Sequence, residues 1–132
     1  MKLAHARIVT KDVPGLARFY EAITGITPTG VEDYQEFQTP GGAFAISSQE
    51  KTDLHGAGAA TSGANRSMIL DFEVVHVDME RARLSSIVKE FVLEPTDQPW
   101  GNRSMMFRDP DGNLINFFAR ITSNELAASQ RE

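Results

Sequence analysis

The chain repeats its own plan. Asp12 and Asp78 lie 66 positions apart, and each follows a strand-like run and opens a stretch of helical apolar periodicity. The turns Pro40-Gly41-Gly42 and Pro110-Asp111-Gly112 lie 70 apart. A period this long marks a duplicated supersecondary unit and not a solenoid. In the first copy, residues 3–10 read as a strand (Leu-Ala-His-Ala-Arg-Ile-Val-Thr) with neither face plainly polar, so both faces are expected to be covered. Asp12 is the expected helix cap, with Pro14 in the first turn, an apolar stripe of Val13, Leu16, Phe19, Tyr20 and Ile23, and Gly25 as the stop. Strands are expected at about 26–31, 34–39 and 43–48. In the second copy, 67–76 reads as a strand. Asp78 is the expected cap of a helix with Ala82, Leu84, Ile87, Val88 and Phe91 on one face, ended by Pro95. Strands at 94–98, 103–108 and 113–119 follow, and Asp109-Pro110-Asp111-Gly112 is expected to be a turn with Asx chemistry.

Strand, helix and three strands, taken twice, predict an α+β fold: two tandem βαβββ modules forming a curved mixed sheet around a central cleft, with the helices outside and a ligand in the cleft. The expected organisation is one domain over 1–132, with module one at about 1–50, a linker at about 49–66, module two at about 67–120 and a tail at 121–132, with at most a short helix near 124–129. The 49–66 stretch is rich in small residues and has no period, so it is expected to be a mobile linker or a lid.

Composition excludes several functions. Lys and Arg number 13 against 18 Asp and Glu, for a net charge of −5, and no run of like charge appears. Nucleic acid and anionic membranes call for a clustered positive field, so neither is an expected partner. There is no cysteine, hence no disulfide, thiolate metal site or cysteine nucleophile. Apolar runs are too short for a membrane span, and the first residues lack the apolar stretch of a signal peptide, so a cytoplasmic protein is expected.

His5-x6-Asp12, Phe19-Tyr20 and Gly25 at one end, and Pro99-Trp100-Gly101-Asn102-Arg103 with Arg108-Asp109-Pro110-Asp111-Gly112-Asn113 at the other, give the chain a resemblance to the vicinal oxygen chelate superfamily. That group holds glyoxalases, bleomycin-binding resistance proteins, fosfomycin resistance enzymes and extradiol dioxygenases. The resemblance implies a divalent metal held by side chains on four strands. Mapped onto this chain, the four positions are His5, Ile46, Ile69 and Asn116. Isoleucine has no lone pair and an amide oxygen is a weak neutral donor, whereas a catalytic zinc takes about three protein ligands. The expectation is therefore no metal and no cofactor, in the character of the bleomycin-binding branch, which Gln98-Pro99-Trp100-Gly101 also resembles. By the same resemblance a homodimer is expected.

The candidate ligand-binding residues are His5, Arg7, Ile46, Ile69, Asp71, Trp100 and Asn116, with His5 the best candidate for any catalytic role. Arg7 and Asp71 each lie two residues past a ligand-type position, so both are expected to face the cleft and to pair or anchor a ligand, with Glu73 nearer the rim. Trp100 could stack on a flat ligand or pack against a partner subunit. Phe44, Met105, Phe107, Leu114 and Phe118 are candidate apolar walls. His76 is read as a surface residue, and so is His55, on a loop from which it could reach the cleft. Three functions stay open: a binder of a small, partly apolar molecule; a metal-dependent glyoxalase-like isomerase, lyase or dioxygenase; and a metal-free acid/base enzyme using His5 with Asp71 or Glu73.

Overall fold

The computed structural model describes residues 1–121. The short helix expected near 124–129 and nearly all of the tail lie outside the described residues. Eleven elements follow in order: β1 (Ala6–Thr10), α1 (Val13–Thr24), β2 (Thr29–Val31), β3 (Tyr34–Gln38), β4 (Ala43–Ser48), α2 (Gln49–Gly56), β5 (Ile69–Glu73), α3 (Val77–Leu84), β6 (Phe91–Asp97), β7 (Asn102–Arg108) and β8 (Leu114–Arg120). They form two four-stranded mixed sheets, ordered β1-β4-β3-β2 and β5-β8-β7-β6. In each, the first strand of the module runs parallel to its last strand, and the rest pair antiparallel. This is the duplicated α+β plan written in the sequence.

The first compact unit comprises Met1–Arg66 and the Asp109–Gly112 turn. Asp12 caps α1 as its position requires: Gly15 N–H donates to Asp12 Oδ1 at 3.0 Å, and Gly25 ends the helix at φ 72° with its N–H on the Glu21 carbonyl. Val13, Leu16, Tyr20 and Ile23 are buried beneath it. Tyr20 meets Phe44 with ring centroids 5.1 Å apart, and Phe37 stacks on Phe44 at 4.8 Å. Alternation then sorts the sheet. Phe37, Phe44, Ile46 and Ile8 share the α1 side, while His5, Arg7, Val9, Ala45, Ser47, Tyr34 and Glu36 share the open face.

The second unit runs through Ser67–Arg108 and resumes at Asn113. Phe72, Phe91, Phe107 and Phe117 make edge and tilted ring contacts at 5.1–6.1 Å. Phe107, Ile115, Phe117 and Met105 are buried. Ile69, Asp71, Glu73, Leu114, Asn116 and Phe118 alternate with the buried set and take the opposite face.

Several local expectations fail. The 49–66 stretch is not irregular throughout, because its first half is α2. Ser48 caps it, accepting from Lys51 N–H at 3.0 Å. The helix buries no residue, so it left no apolar stripe to read. Gln49 further ties the following segment, donating to the Ala60 carbonyl at 2.8 Å and accepting from Ser62 N–H at 2.7 Å. Asp78 is not a cap. His76 is the N-cap residue of α3 and makes no side-chain cap bond, while Asp78 sits in the first turn facing Arg103. The second helix also stops at Leu84, and Phe91 and Pro95 belong to β6. Pro95 is accommodated where the β6–β7 register shifts, between Leu93 and Thr96.

Candidate ligand-binding site

On the open face of the first sheet, three side chains form a hydrogen-bonded chain. His5 Nε2 lies 3.2 Å from the Tyr34 hydroxyl, and that hydroxyl donates to Glu36 Oε2 at 2.9 Å. Gln38 Nε2 donates to the other Glu36 oxygen. With the Tyr34 proton on Glu36, the Tyr34 oxygen is left to accept from His5, which selects the tautomer protonated at Nε2. Burial, then the bond to Glu36 and its charge, hold the Tyr34 phenol above its ordinary pKa, so it stays neutral.

Beside this chain, Arg7, Asp33, Tyr34 and Ser47 from the sheet and Lys51, Thr52 and His55 from α2 line a depression of about 250 Å³. His55 lies three residues after Thr52 and four after Lys51, which brings the three together on one side of α2. Ser47 is 5% exposed, and no protein group among the described residues hydrogen-bonds its Oγ. Arg7 is exposed and forms no ion pair among the described residues. His55 is exposed, as read, and its place on α2 also sets it at the edge of this depression.

On the open face of the second sheet, Asn116 Nδ2 donates to Asp71 Oδ1 at 2.9 Å. Asn116 Oδ1 is buried with no hydrogen-bond partner among the described residues. Asp71 and Asn116 are direct partners across the parallel β5–β8 ladder, a pairing that sequence reasoning missed because register was unknown. Ile69 is 45% exposed on the same face, and Leu114 and Phe118 flank Asn116. Phe44, Met105 and Phe107, read as possible walls, are core. Trp100 is 71% exposed beside Gly101, whose φ is 98°. His76 is exposed, as read.

Ile46 requires a correction. It is fully buried on the α1 side, not on the open face. Asp71 pairs with Asn116 in the second sheet, and Arg7 pairs with Ala45 in the first, so the counterpart of Asn116 is Ala45. Counting from the turn glycine slipped by one residue, which in a strand moves a side chain to the other face.

The corrected set at the metal-type positions is His5, Ala45, Ile69 and Asn116. It does not fit a transition metal. Two members are hydrocarbon, the imidazole is engaged with Tyr34, and the amide is engaged with Asp71. Among the described residues, no three His, Asp or Glu side chains converge as a metal site would need. No helix among them is long and apolar enough to cross a membrane.

The profile of the Glyoxalase/Bleomycin resistance protein/Dioxygenase superfamily matches residues 2–117. No curated protein gives a significant match. Among solved structures, a glyoxalase/bleomycin resistance protein/dioxygenase from Nocardioides superposes with a TM-score of 0.74 at 22% identity, covering 93% of this chain and 86% of that one. A family enzyme from Burkholderia phytofirmans PsJN gives 0.80 at 16% identity, covering 91% and 99%. A lactoylglutathione lyase from Agrobacterium tumefaciens gives 0.68 at 15% identity, covering 89% and 92%. At these identities the structures speak for the fold, and the profile match over most of the chain speaks for the family. The chain belongs to the glyoxalase/bleomycin resistance protein/dioxygenase superfamily.

Proposed function

We propose that this protein binds a small, partly apolar molecule on the open face of its second sheet, without a metal at the family's ligand positions, and that it acts as a cytoplasmic homodimer. The observation that carries the reading is Asn116. Its amide nitrogen is committed to Asp71, its oxygen is buried and free to accept, and its neighbours Ile69, Leu114 and Phe118 are apolar. One oriented polar group among hydrocarbon walls is what a binding site for such a molecule requires. The donor chemistry of His5, Ala45, Ile69 and Asn116 supports the metal-free part. The cysteine-free sequence suits a reducing compartment.

A thermal-shift screen of small aromatic and aliphatic compounds tests this reading, because a ligand of the folded state raises the midpoint. Saturable hits that Asn116→Ala abolishes are expected, together with elemental analysis well below one equivalent of transition metal. A stoichiometric metal lost on His5→Ala would overturn it.

A second reading rests on the His5–Tyr34–Glu36 chain, which could serve acid/base chemistry at His5. The carboxylate in that chain is Glu36, reached through Tyr34. Turnover that survives chelation and is lost in both His5→Ala and Glu36→Gln would favour it over simple binding.

A further inference from the structure

We infer that the depression between the first sheet and α2 is an oxyanion subsite, built for the phosphate group of a small phosphate monoester. The inference goes beyond the binding reading above, and its observations lie in the first unit alone. Two cations reach the depression from different elements, Arg7 from β1 and Lys51 from α2, and His55 stands beside them. Arg7 carries no ion pair among the described residues, because the carboxylate on its own face, Glu36, is taken by Tyr34 and Gln38. Among the described residues the acid lining the depression is Asp33, and its contact with Lys51 is long, 4.0 Å, between two exposed side chains. Such a pair contributes little and yields readily to a better anion.

The floor makes this more than a cluster of surface charge. Ser47 Oγ is buried there with no hydrogen-bond partner among the described residues. A buried hydroxyl without a hydrogen bond is a standing cost to folding, which a ligand oxygen would remove. Ser47 sits in the middle of the sheet, paired with Val9 on one side and Tyr34 on the other, so its backbone is held from both sides. Arginine supplies a planar fork for two oxygens and lysine a point charge for another. With the serine hydroxyl, that donor set suits the three terminal oxygens of a phosphate better than the two of a carboxylate. Tyr34 adds no donor, since its proton lies on Glu36.

The test is an NMR titration of the full chain with inorganic phosphate, with sodium acetate as the carboxylate arm, both at ionic strength matched with sodium chloride. Saturable shifts centred on the amides of Ser47 and the first turn of α2 are expected with phosphate, and weaker ones with acetate. Arg7→Gln and Lys51→Gln, both at exposed side chains, should each weaken phosphate binding about tenfold, as loss of a charge-assisted hydrogen bond does. Ser47→Ala should weaken it severalfold while leaving the thermal midpoint equal or higher, since it deletes an unsatisfied hydroxyl. A merely structural Ser47 predicts the opposite, a lower midpoint and unchanged binding. Unsaturable or scattered shifts, acetate binding tighter than phosphate, or indifference to Arg7→Gln would each overturn the subsite. If phosphate fails while apolar hits in the thermal-shift screen persist, the subsite falls and the binding reading stands. If phosphate binds and the screen yields no hits, the subsite stands and that reading falls.

Discussion

The Tyr20 hydroxyl donates to Asp109 Oδ2 at 2.6 Å across 89 residues of sequence. Tyr20 is fully buried and Asp109 is 5% exposed. The other carboxylate oxygen accepts from Asp111 N–H at 2.8 Å, the Asx bond expected of this turn, and Gly112 follows at φ 86°. One aspartate thus shapes its own turn and receives the phenol of α1. A carboxylate this deeply buried is tolerated because both of its oxygens are hydrogen-bonded.

Removing the phenol should therefore cost more than one ordinary hydrogen bond. Tyr20→Phe is expected to destabilise by about 1–3 kcal/mol, because it strips a buried carboxylate of a donor. Urea unfolding of Tyr20→Phe, Asp109→Asn and the double variant measures this. The double loss should be smaller than the sum of the single losses, and additivity would show that the two residues do not couple.

The same pair sets an alkaline limit. Burial first, and the Asp109 charge second, raise the Tyr20 phenol well above its ordinary value of 10.0. The unfolded phenol then loses its proton before the folded one does. Its contribution to stability is complete below about pH 10 and is lost as pH rises beyond it. Tyr20→Phe should flatten stability against pH in that range. Tyr34, raised for similar reasons, should contribute a smaller slope of the same sign, read from Tyr34→Phe.

Acid sensitivity belongs to the second sheet. Arg103 donates to both Asp78 oxygens, at 2.7 and 3.0 Å, and to Asp97 at 3.0 Å. The Arg103 hydrogen bond is the main cause that lowers the Asp78 pKa below its ordinary 3.8. The stability it supplies is present above about pH 4 and is lost as pH falls through the lowered value. Arg103→Gln should cost at most about 1 kcal/mol at neutral pH, since the pair is largely exposed, and should remove part of the acid slope. An unchanged acid profile would show that the bridge contributes nothing.

α2 should open locally without global unfolding. It buries no side chain, and its cap and the Gln49 bonds hold it. Ser48→Ala removes a cap worth about 1 kcal/mol. Together with Gln49→Ala it should speed amide exchange across 49–62 and direct limited proteolysis there, with little change in the midpoint of the sheets. First cleavage elsewhere would show that these bonds do not hold the segment.

Ile46 and Arg7 should respond in opposite ways. Ile46→Ala is expected to cost about 2–5 kcal/mol, as deletion of a fully buried side chain does. Arg7→Ala should leave stability within about 0.5 kcal/mol. The reverse ordering in chemical denaturation would return Ile46 to the open face.

The sequence by itself determined the duplicated strand–helix–strand plan, because each module announces itself locally. Asp12, Pro14 and Gly25 act within one or two turns, and Pro40-Gly41-Gly42 and Asp109-Pro110-Asp111-Gly112 act within four residues, so short-range rules suffice. It also showed that hydrocarbon side chains hold two of the four metal-type positions, which is true whether the β4 position is Ile46 or Ala45. Only the tertiary structure decided register, and register decides which face a side chain takes; a slip of one residue separates Ala45 from Ile46. Only the structure showed α2, whose cap is legible but whose lack of an apolar stripe made it read as loop. Partners distant in sequence, Tyr20 with Asp109, Asn116 with Asp71 and Arg103 with Asp78, follow from strand pairing and packing, which no local pattern encodes. The gathering of Arg7, Ser47, Lys51 and His55 around one depression has the same origin. Each is unremarkable in its own stretch of chain, and only the β1–β4 ladder and the helix that follows β4 bring them together.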